Sequence, residues 1–209
     1  MERLQFISHG HTAEEQLEGI KLVLDAGCKW VQFRWKSASL NKILKIGTEV
    51  KSLTEAYGAK LLINDHVKAA QELDADGLHL GLDDGSIPEA RKILGVKKII
   101  GGTANTLKHV QQRLDEGVDY VGLGPLRFTV TKEKLSPILG FEGYTDICSK
   151  LTSGQVPIYA IGGVNAEDIP QLLECGVYGV AVSSALLDDP NSSIKNFNRK
   201  LYEAAKNSR

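Results

Sequence analysis

Cysteine is scarce in this chain of 209 residues: Cys28, Cys148 and Cys175 stand far apart, and no C-x-x-C pair occurs. That spacing gives neither a zinc site nor a disulfide framework, and the three read as small apolar residues of a reducing compartment. No apolar run approaches the ~20 residues of a membrane span. The opening residues, Met1-Glu2-Arg3-Leu4-Gln5-Phe6, hold no signal-peptide apolar stretch. Neither sign of charge prevails, with 25 Lys and Arg against 26 Asp and Glu. A polybasic nucleic-acid binder and a charged disordered tail are therefore excluded. No G-x-G-x-x-G follows the first apolar run, and no order of Ser, His and Asp makes a credible triad. The expectation is a soluble cytoplasmic protein without a nucleic-acid or membrane partner.

Glycine, by contrast, is abundant at 21 residues, roughly 10% against a typical ~7%. Such an excess marks tight turns or backbone that must lie close to a ligand. Short apolar or β-branched runs alternate with amphipathic stretches from end to end. The expected strands are Leu4 to Ile7, Trp30 to Arg34, Lys60 to Ile63, Gly77 to Leu80, Lys98 to Gly101, Tyr120 to Leu123, Ile158 to Ile161 and Gly179 to Val182. Helical spacing of apolar residues fills Glu14 to Leu24, Leu40 to Tyr57, Ile87 to Leu94, Thr106 to Glu116, Ala166 to Glu174 and Ile194 to Ala205. A weak repeat runs through Ala26-Gly27-Cys28-Lys29-Trp30-Val31, Glu116-Gly117-Val118-Asp119-Tyr120-Val121 and Cys175-Gly176-Val177-Tyr178-Gly179-Val180. In each, a helix ends at a Gly and a buried strand follows; Gly58, Gly95 and Gly154 take equivalent places. Eight strand–helix units of roughly 26 residues predict an α/β fold, a single (β/α)8 TIM-barrel domain over residues 1–209. A doubly wound sheet alternates too, but polar signals here follow many different strands.

Residues just beyond barrel strands build one mouth. Reading those positions gives Gln32, Arg34 and Lys36; Asn64 and Asp65; His79, Asp83 and Asp84; Thr103 and Asn105; Thr129, Thr131 and Lys132; Gly162 and Gly163; and Ser183 and Ser184. Cations on separate loops can converge on an anion, Arg as a planar fork and Lys as a point charge. Two carboxylates among them suit Mg²⁺, which binds through one or two carboxylates plus substrate phosphates. The Gly162-Gly163 and Ser183-Ser184 pairs follow strands seven and eight, the common barrel phosphate site. Two phosphate sites imply two phosphorylated substrates. Each motif has an ordinary alternative: an edge-strand face for Gln32-x-Arg34-x-Lys36, a helix cap for Asn64-Asp65, a turn and cap for Asp83-Asp84-Gly85-Ser86, and a plain loop for Thr129-x-Thr131-Lys132. His79 reads as a hydrogen-bonded core histidine.

Together these residues resemble the thiamine phosphate synthase family, also called thiamine-phosphate pyrophosphorylase. The resemblance covers nearly the whole chain. It rests on Val31-Gln32-Phe33-Arg34-Trp35-Lys36, Ile63-Asn64-Asp65 and Asp76-Gly77-Leu78-His79-Leu80-Gly81-Leu82-Asp83-Asp84. It continues in Asp119-Tyr120-Val121-Gly122-Leu123-Gly124-Pro125, Thr129-Val130-Thr131-Lys132 and Ala160-Ile161-Gly162-Gly163-Val164.

The resemblance implies a (β/α)8 barrel that joins hydroxymethylpyrimidine diphosphate to hydroxyethylthiazole phosphate, releasing pyrophosphate and giving thiamine monophosphate. It implies that Gln32, Phe33, Arg34, Trp35, Lys36, Asn64, Thr103 and Lys132 hold the pyrimidine diphosphate. Asp65 and Asp84 would ligate Mg²⁺. Thr129, Val130, Thr131, Gly162, Gly163, Ser183 and Ser184 would hold the thiazole phosphate. Arg34, Lys36 and Lys132 would act on the leaving group in a dissociative reaction without a protein nucleophile. A homo-oligomer is compatible with the sequence. The chain departs from the family pattern at Leu82, usually Gln; at Thr103, usually Ser; at Asn105, often His; and at Leu126-Arg127-Phe128. Two other readings are a thiazole tautomerase-like isomerase of the same superfamily, which tends to lose the carboxylates and carry His near Pro125, and a non-catalytic phosphate-binding barrel. The polar stretch from Leu126 to Gly140 has the length of a mobile lid.

Overall fold

Alternation along short strands sets the architecture. The computed structural model describes residues 1–128, 137–152 and 156–207. Its strands are β1 (Leu4–Ile7), β2 (Trp30–Phe33), β3 (Lys60–Asn64), β4 (Gly77–Leu80), β5 (Ile99–Ala104), β6 (Tyr120–Leu123), β7 (Ile158–Ile161) and β8 (Gly179–Val182). Between and after them lie α1 (Ala13–Asp25), α2 (Leu40–Ala56), α3 (Val67–Glu72), α4 (Ile87–Leu94), α5 (Leu107–Asp115), α6 (Gly140–Cys148), α7 (Ile169–Glu174) and α8 (Pro190–Asn207). Every strand pairs in parallel with the next, and β8 returns to β1, closing the barrel. The (β/α)8 expectation holds. Among the described residues no helix is long and apolar enough to cross a membrane.

Successive side chains on a strand point to opposite faces. Outward residues such as Phe6, Val31, Phe33, Ile63, Leu78, Leu80, Ile100, Val121 and Val180 are buried under the helices in one continuous core. A second, smaller cluster of Trp30, Leu62, Tyr120 and Tyr159 fills the barrel interior. Its three largest rings meet edge to face, with centroids 5.1–5.3 Å apart. That geometry suits the ring quadrupoles, and it plugs the barrel below the strands' C-terminal ends.

Helix starts follow the cap chemistry. Thr12 and Glu15 form a capping box at α1. Ser86 caps α4 and Thr106 caps α5, each accepting a backbone N–H of the first turn. Positive φ at Gly27, Gly58, Gly95, Gly117 and Gly176 ends helices on the opposite rim, as the repeat predicts. Gly154 lies outside the described residues.

Several boundaries differ from the sequence expectation. β2 stops at Phe33, while β3 continues to Asn64 and β5 to Ala104. Helix α6 was not expected. Its two glycines lower its intrinsic propensity, and burial of Tyr144 and Ile147 holds it instead. The stretch expected as one helix from Ala166 splits into a 3-10 turn, Ala166–Asp168, and α7. Pro170 explains the break, since it has no N–H to offer the preceding turn.

The plug demands a small residue opposite Tyr120. Gly101 pairs with Tyr120 in register, and a Cβ there would lie 2.1 Å from Tyr120 Cζ. Gly101→Ala is expected to destabilise the fold by about 1–3 kcal/mol through overpacking. In thermal unfolding each kcal/mol corresponds to about 2–4 °C for a chain of this size; an unchanged midpoint would mean that the ring moves aside freely.

Candidate active site

Polar side chains on the inward faces sit directly above the aromatic plug. Gln5 on β1, Gln32 on β2, Asn64 on β3, His79 on β4 and Thr103 on β5 are all buried. Four of them join through Tyr120. Gln32 Nε2 donates to Gln5 Oε1 (3.1 Å), and Gln5 Nε2 donates to the Tyr120 hydroxyl (3.3 Å). Tyr120 Oη lies 2.8 Å from His79 Nδ1, and His79 Nε2 lies 2.9 Å from Thr103 Oγ1. Burial pushes the Tyr120 phenol well above its usual range, so it stays a donor. The His79 ring thus bridges two hydroxyls, that of Tyr120 at Nδ1 and that of Thr103 at Nε2. His79 is the hydrogen-bonded core histidine expected, and Gln32, Asn64 and Thr103 lie within strands rather than beyond them.

At the rim, Lys36 meets both candidate carboxylates. Its Nζ lies 2.5 Å from Asp65 Oδ2 and 3.5 Å from Asp84 Oδ1. Asp84 folds back so that Oδ2 accepts the Gly81 N–H at 3.0 Å. A Cβ at position 81 would lie 2.2 Å from that oxygen, so glycine is what lets the carboxylate approach. Asp65 holds φ at +66°, the left-handed region that Asp and Asn enter most readily among side-chain-bearing residues. Burial first, and then the neighbouring Asp84, push the Asp65 carboxyl up to about 6, against the pull of Lys36. For Asp84, burial acts upward but is outweighed by the hydrogen bond with Asp65, by Lys36 and by the Gly81 N–H, leaving it below the usual carboxylate range.

The arrangement fits a hard divalent ion. Asp65 Oδ1 is buried and meets no hydrogen-bond donor among the described residues, which leaves a lone pair aimed at something. No cluster of three His, Cys, Asp or Glu ligands forms among those residues. Two carboxylates alone suit Mg²⁺, which keeps water and takes its other ligands from phosphate oxygens.

Arg34 is partly buried, and its backbone is pinned by a pair that sequence reasoning missed. Its N–H donates to Ser8 Oγ (2.8 Å) and its carbonyl accepts from Gln16 Nε2 (3.1 Å). Ser8 in turn donates to Gln16 Oε1 (2.6 Å). The signal for this was faint, a lone polar residue at the end of β1 and another on the inner face of α1. Arg113, also missed, is buried beneath the rim and ties the carbonyls of Gly81 and Thr103 together at 2.9 and 3.1 Å. Two expected contacts are corrected. Phe33 and Trp35 turn their side chains into the helix-facing core, because alternation on β2 sends odd positions outward. Trp35 Nε1 donates to the His11 carbonyl (3.2 Å).

Across the mouth, Gly162 and Gly163 take φ of +81° and +70° just after β7. Ser183, just after β8, has a buried Oγ with no partner among the described residues, and Ser184 opens a short 3-10 turn. Thr129, Val130, Thr131 and Lys132 lie outside the described residues. So does most of the stretch from Leu126 to Gly140 read as a lid. Asn105, one of the departures, donates its amide to the Gly124 carbonyl and so fastens β5 to the chain after β6.

Two outcomes follow from this geometry. Tyr120→Phe leaves Gln5 and His79 with unpaired interior atoms, so it is expected to cost about 1–3 kcal/mol in denaturant unfolding; a loss below about 0.5 kcal/mol would make the chain dispensable. The raised Asp65 value has a definite sign. In metal-free protein the native state holds a proton that the unfolded chain releases, so this group lowers stability as pH rises from about 4 through about 6. Asp65→Asn should remove that fall, so the variant gains on the original across the window when melting is followed against pH. A constant difference would show that Asp65 is ionised throughout.

A family model described as thiamine monophosphate synthase matches residues 4–186. The thiamine-phosphate synthase of Flavobacterium johnsoniae is 48% identical over 204 residues, covering 96% of each chain. That of Bacteroides fragilis is 46% identical over 190 residues, covering 90% of this chain and 93% of its own. Among solved structures, a thiamine phosphate pyrophosphorylase from Pyrococcus furiosus superposes with a TM-score of 0.84 at 28% identity, over 97% of this chain and 96% of its own. From barrel closure to the matched residues, these findings agree, and the chain belongs to the thiamine monophosphate synthase family.

Proposed function

We propose that this chain joins hydroxymethylpyrimidine diphosphate to hydroxyethylthiazole phosphate, releasing pyrophosphate and forming thiamine monophosphate. The observation that carries the reading is the meeting of Lys36 with Asp65 and Asp84 at the same rim as the Gly162-Gly163 turn. A diphosphate with its counter-ion fits the first group and a monophosphate fits the second.

The chemistry asks for positioning and charge neutralisation rather than a nucleophile. The carbon–oxygen bond to the diphosphate breaks, and its electron pair leaves with pyrophosphate. The aminopyrimidine ring carries the positive charge left on the methylene carbon. The thiazole nitrogen then supplies the lone pair for the new carbon–nitrogen bond. Mg²⁺ held by Asp65 and Asp84 would neutralise charge growing on the leaving oxygens. Lys36 and Arg34 add positive charge at the same place, and the family resemblance gives Lys132 the same task. Gln32, Asn64 and the hydroxyl of Thr103 offer donors and acceptors for the pyrimidine edge, and their fixed network means little reorganisation at the moment of reaction. The glycine turn with Ser183 and Ser184 seats the thiazole phosphate, a role the family resemblance extends to Thr129 and Thr131. The retained carboxylates, together with Pro125, favour this reaction over the isomerase. On the same reading the enzyme is one barrel domain over residues 1–209, works in the cytoplasm on small phosphorylated molecules, and involves no nucleic acid.

Purified protein given both substrates and Mg²⁺ should form thiamine phosphate and pyrophosphate in equal amounts. No product above background would sink the reading. Lys36→Met should lower kcat about 10²–10³-fold, the usual cost of losing one group that meets developing charge, in a protein that remains folded by circular dichroism. A kcat within threefold of the original would remove Lys36 from the leaving-group site.

A further inference from the structure

Arg127 stands in the segment that follows β6, and the structure gives it a task. The guanidinium makes a two-pronged ion pair with Asp168, Nη1 to Oδ2 at 2.6 Å and Nη2 to Oδ1 at 2.8 Å. Nη1 also donates to the Gly163 carbonyl at 2.6 Å. Asp168 is itself fixed. Its Oδ2 accepts the Asn165 N–H at 2.7 Å as half of a capping box, and its side chain is only 10% exposed against 41% for Arg127. The buried carboxylate therefore aims the more exposed cation.

The backbone around it faces the same way. The Gly162 carbonyl accepts from Leu126 N (3.1 Å) and Arg127 N (3.2 Å). Both carbonyls of the glycine pair are thus held against the chain that follows β6. None of the hydrogen bonds among the described residues uses the N–H of Gly162 or Gly163. Two successive residues of positive φ whose carbonyls are tied back leave their N–H groups for an anion. A glycine peptide can turn over at little steric cost. With the carbonyl loose, its oxygen can face the anion and repel it.

We propose that Arg127 is a positioning residue for the thiazole phosphate: clamped by Asp168, it holds the Gly163 carbonyl away so that the N–H groups of the turn meet the phosphate. The identity of that phosphate rests on the proposed function, whereas the clamp rests on the geometry. Arg127 need not touch the ligand. A substitution therefore weakens one substrate selectively, which a general loss of stability would not do.

The test uses the full chain with isotope-labelled glycine amides. Inorganic phosphate is titrated while the Gly163 amide signal is followed, and KM is measured for each substrate. Arg127→Met keeps the apolar stem and removes the donors. The expected result is roughly tenfold weaker phosphate binding at Gly163, the size expected of one lost hydrogen bond to a charged group. KM for the thiazole phosphate should rise by a similar factor, with KM for the pyrimidine diphosphate within twofold. Unchanged phosphate affinity, or equal rises in both KM values, overturns the proposal. Should Arg127→Met fail to fold, Asp168→Asn serves, because its amide oxygen can still accept from Asn165. It should shift phosphate affinity in the same direction, and no shift overturns the clamp. Phosphate binding at Gly163 that weakens in the variant, in a protein that forms no thiamine phosphate, supports the clamp and overturns the proposed reaction.

Discussion

Inside a closed barrel of short strands there is no bulk water to satisfy a polar atom. A polar atom there is held by a partner on another strand, and an unpaired one costs about 1–3 kcal/mol. Trp30 Nε1, in the plug, has no partner among the described residues, while above it a single line runs from Gln32 and Gln5 through Tyr120 and His79 to Thr103. That line crosses five strands, so it fixes their inward side chains as a set. The edge-to-face rings beneath it keep its floor rigid. The line ends at the Thr103 hydroxyl, held 2.9 Å from His79 Nε2.

Charge is handled locally in the same spirit. The chain is close to neutral, with 25 cationic and 26 anionic side chains, yet its rim concentrates both signs. Lys36 sits against two carboxylates that would otherwise repel each other. Arg113 braces two strand ends from below, and Arg127 fastens one loop to another. Each of these three cations has a defined partner among the described residues, so this part of the site needs little rearrangement of its electrostatics.

Much of this was legible in the sequence. Eight strands were placed within a few residues, because buried parallel strands read as short apolar runs between helical periods. The order of polar signals after those strands located Asp65, Asp84, Lys36 and the glycine turn. Alternation already separates Gln32 from Phe33 and Trp35, which pack outward; it was the family resemblance that set those two aromatics among the substrate contacts. Partners far apart in sequence were not readable at all. Nothing local joins Arg127 to Asp168 or Ser8 to Arg34, since it is the parallel pairing of β6 with β7 and of β1 with β2 that brings those segments together. Helix α6 was missed for a related reason, its stability coming from Tyr144 and Ile147 rather than from propensity.

The glycines that end helices on the far rim have a further meaning. Gly27, Gly58, Gly95 and Gly117 combine positive φ with open space where a Cβ would stand. Their constraint is one of handedness, not of room. A mirror-image residue favours that sign of φ, and by narrowing the unfolded chain's freedom it would stiffen the scaffold. Durability and catalysis in this barrel thus occupy opposite ends, and one can be altered chemically while the other is left as it is.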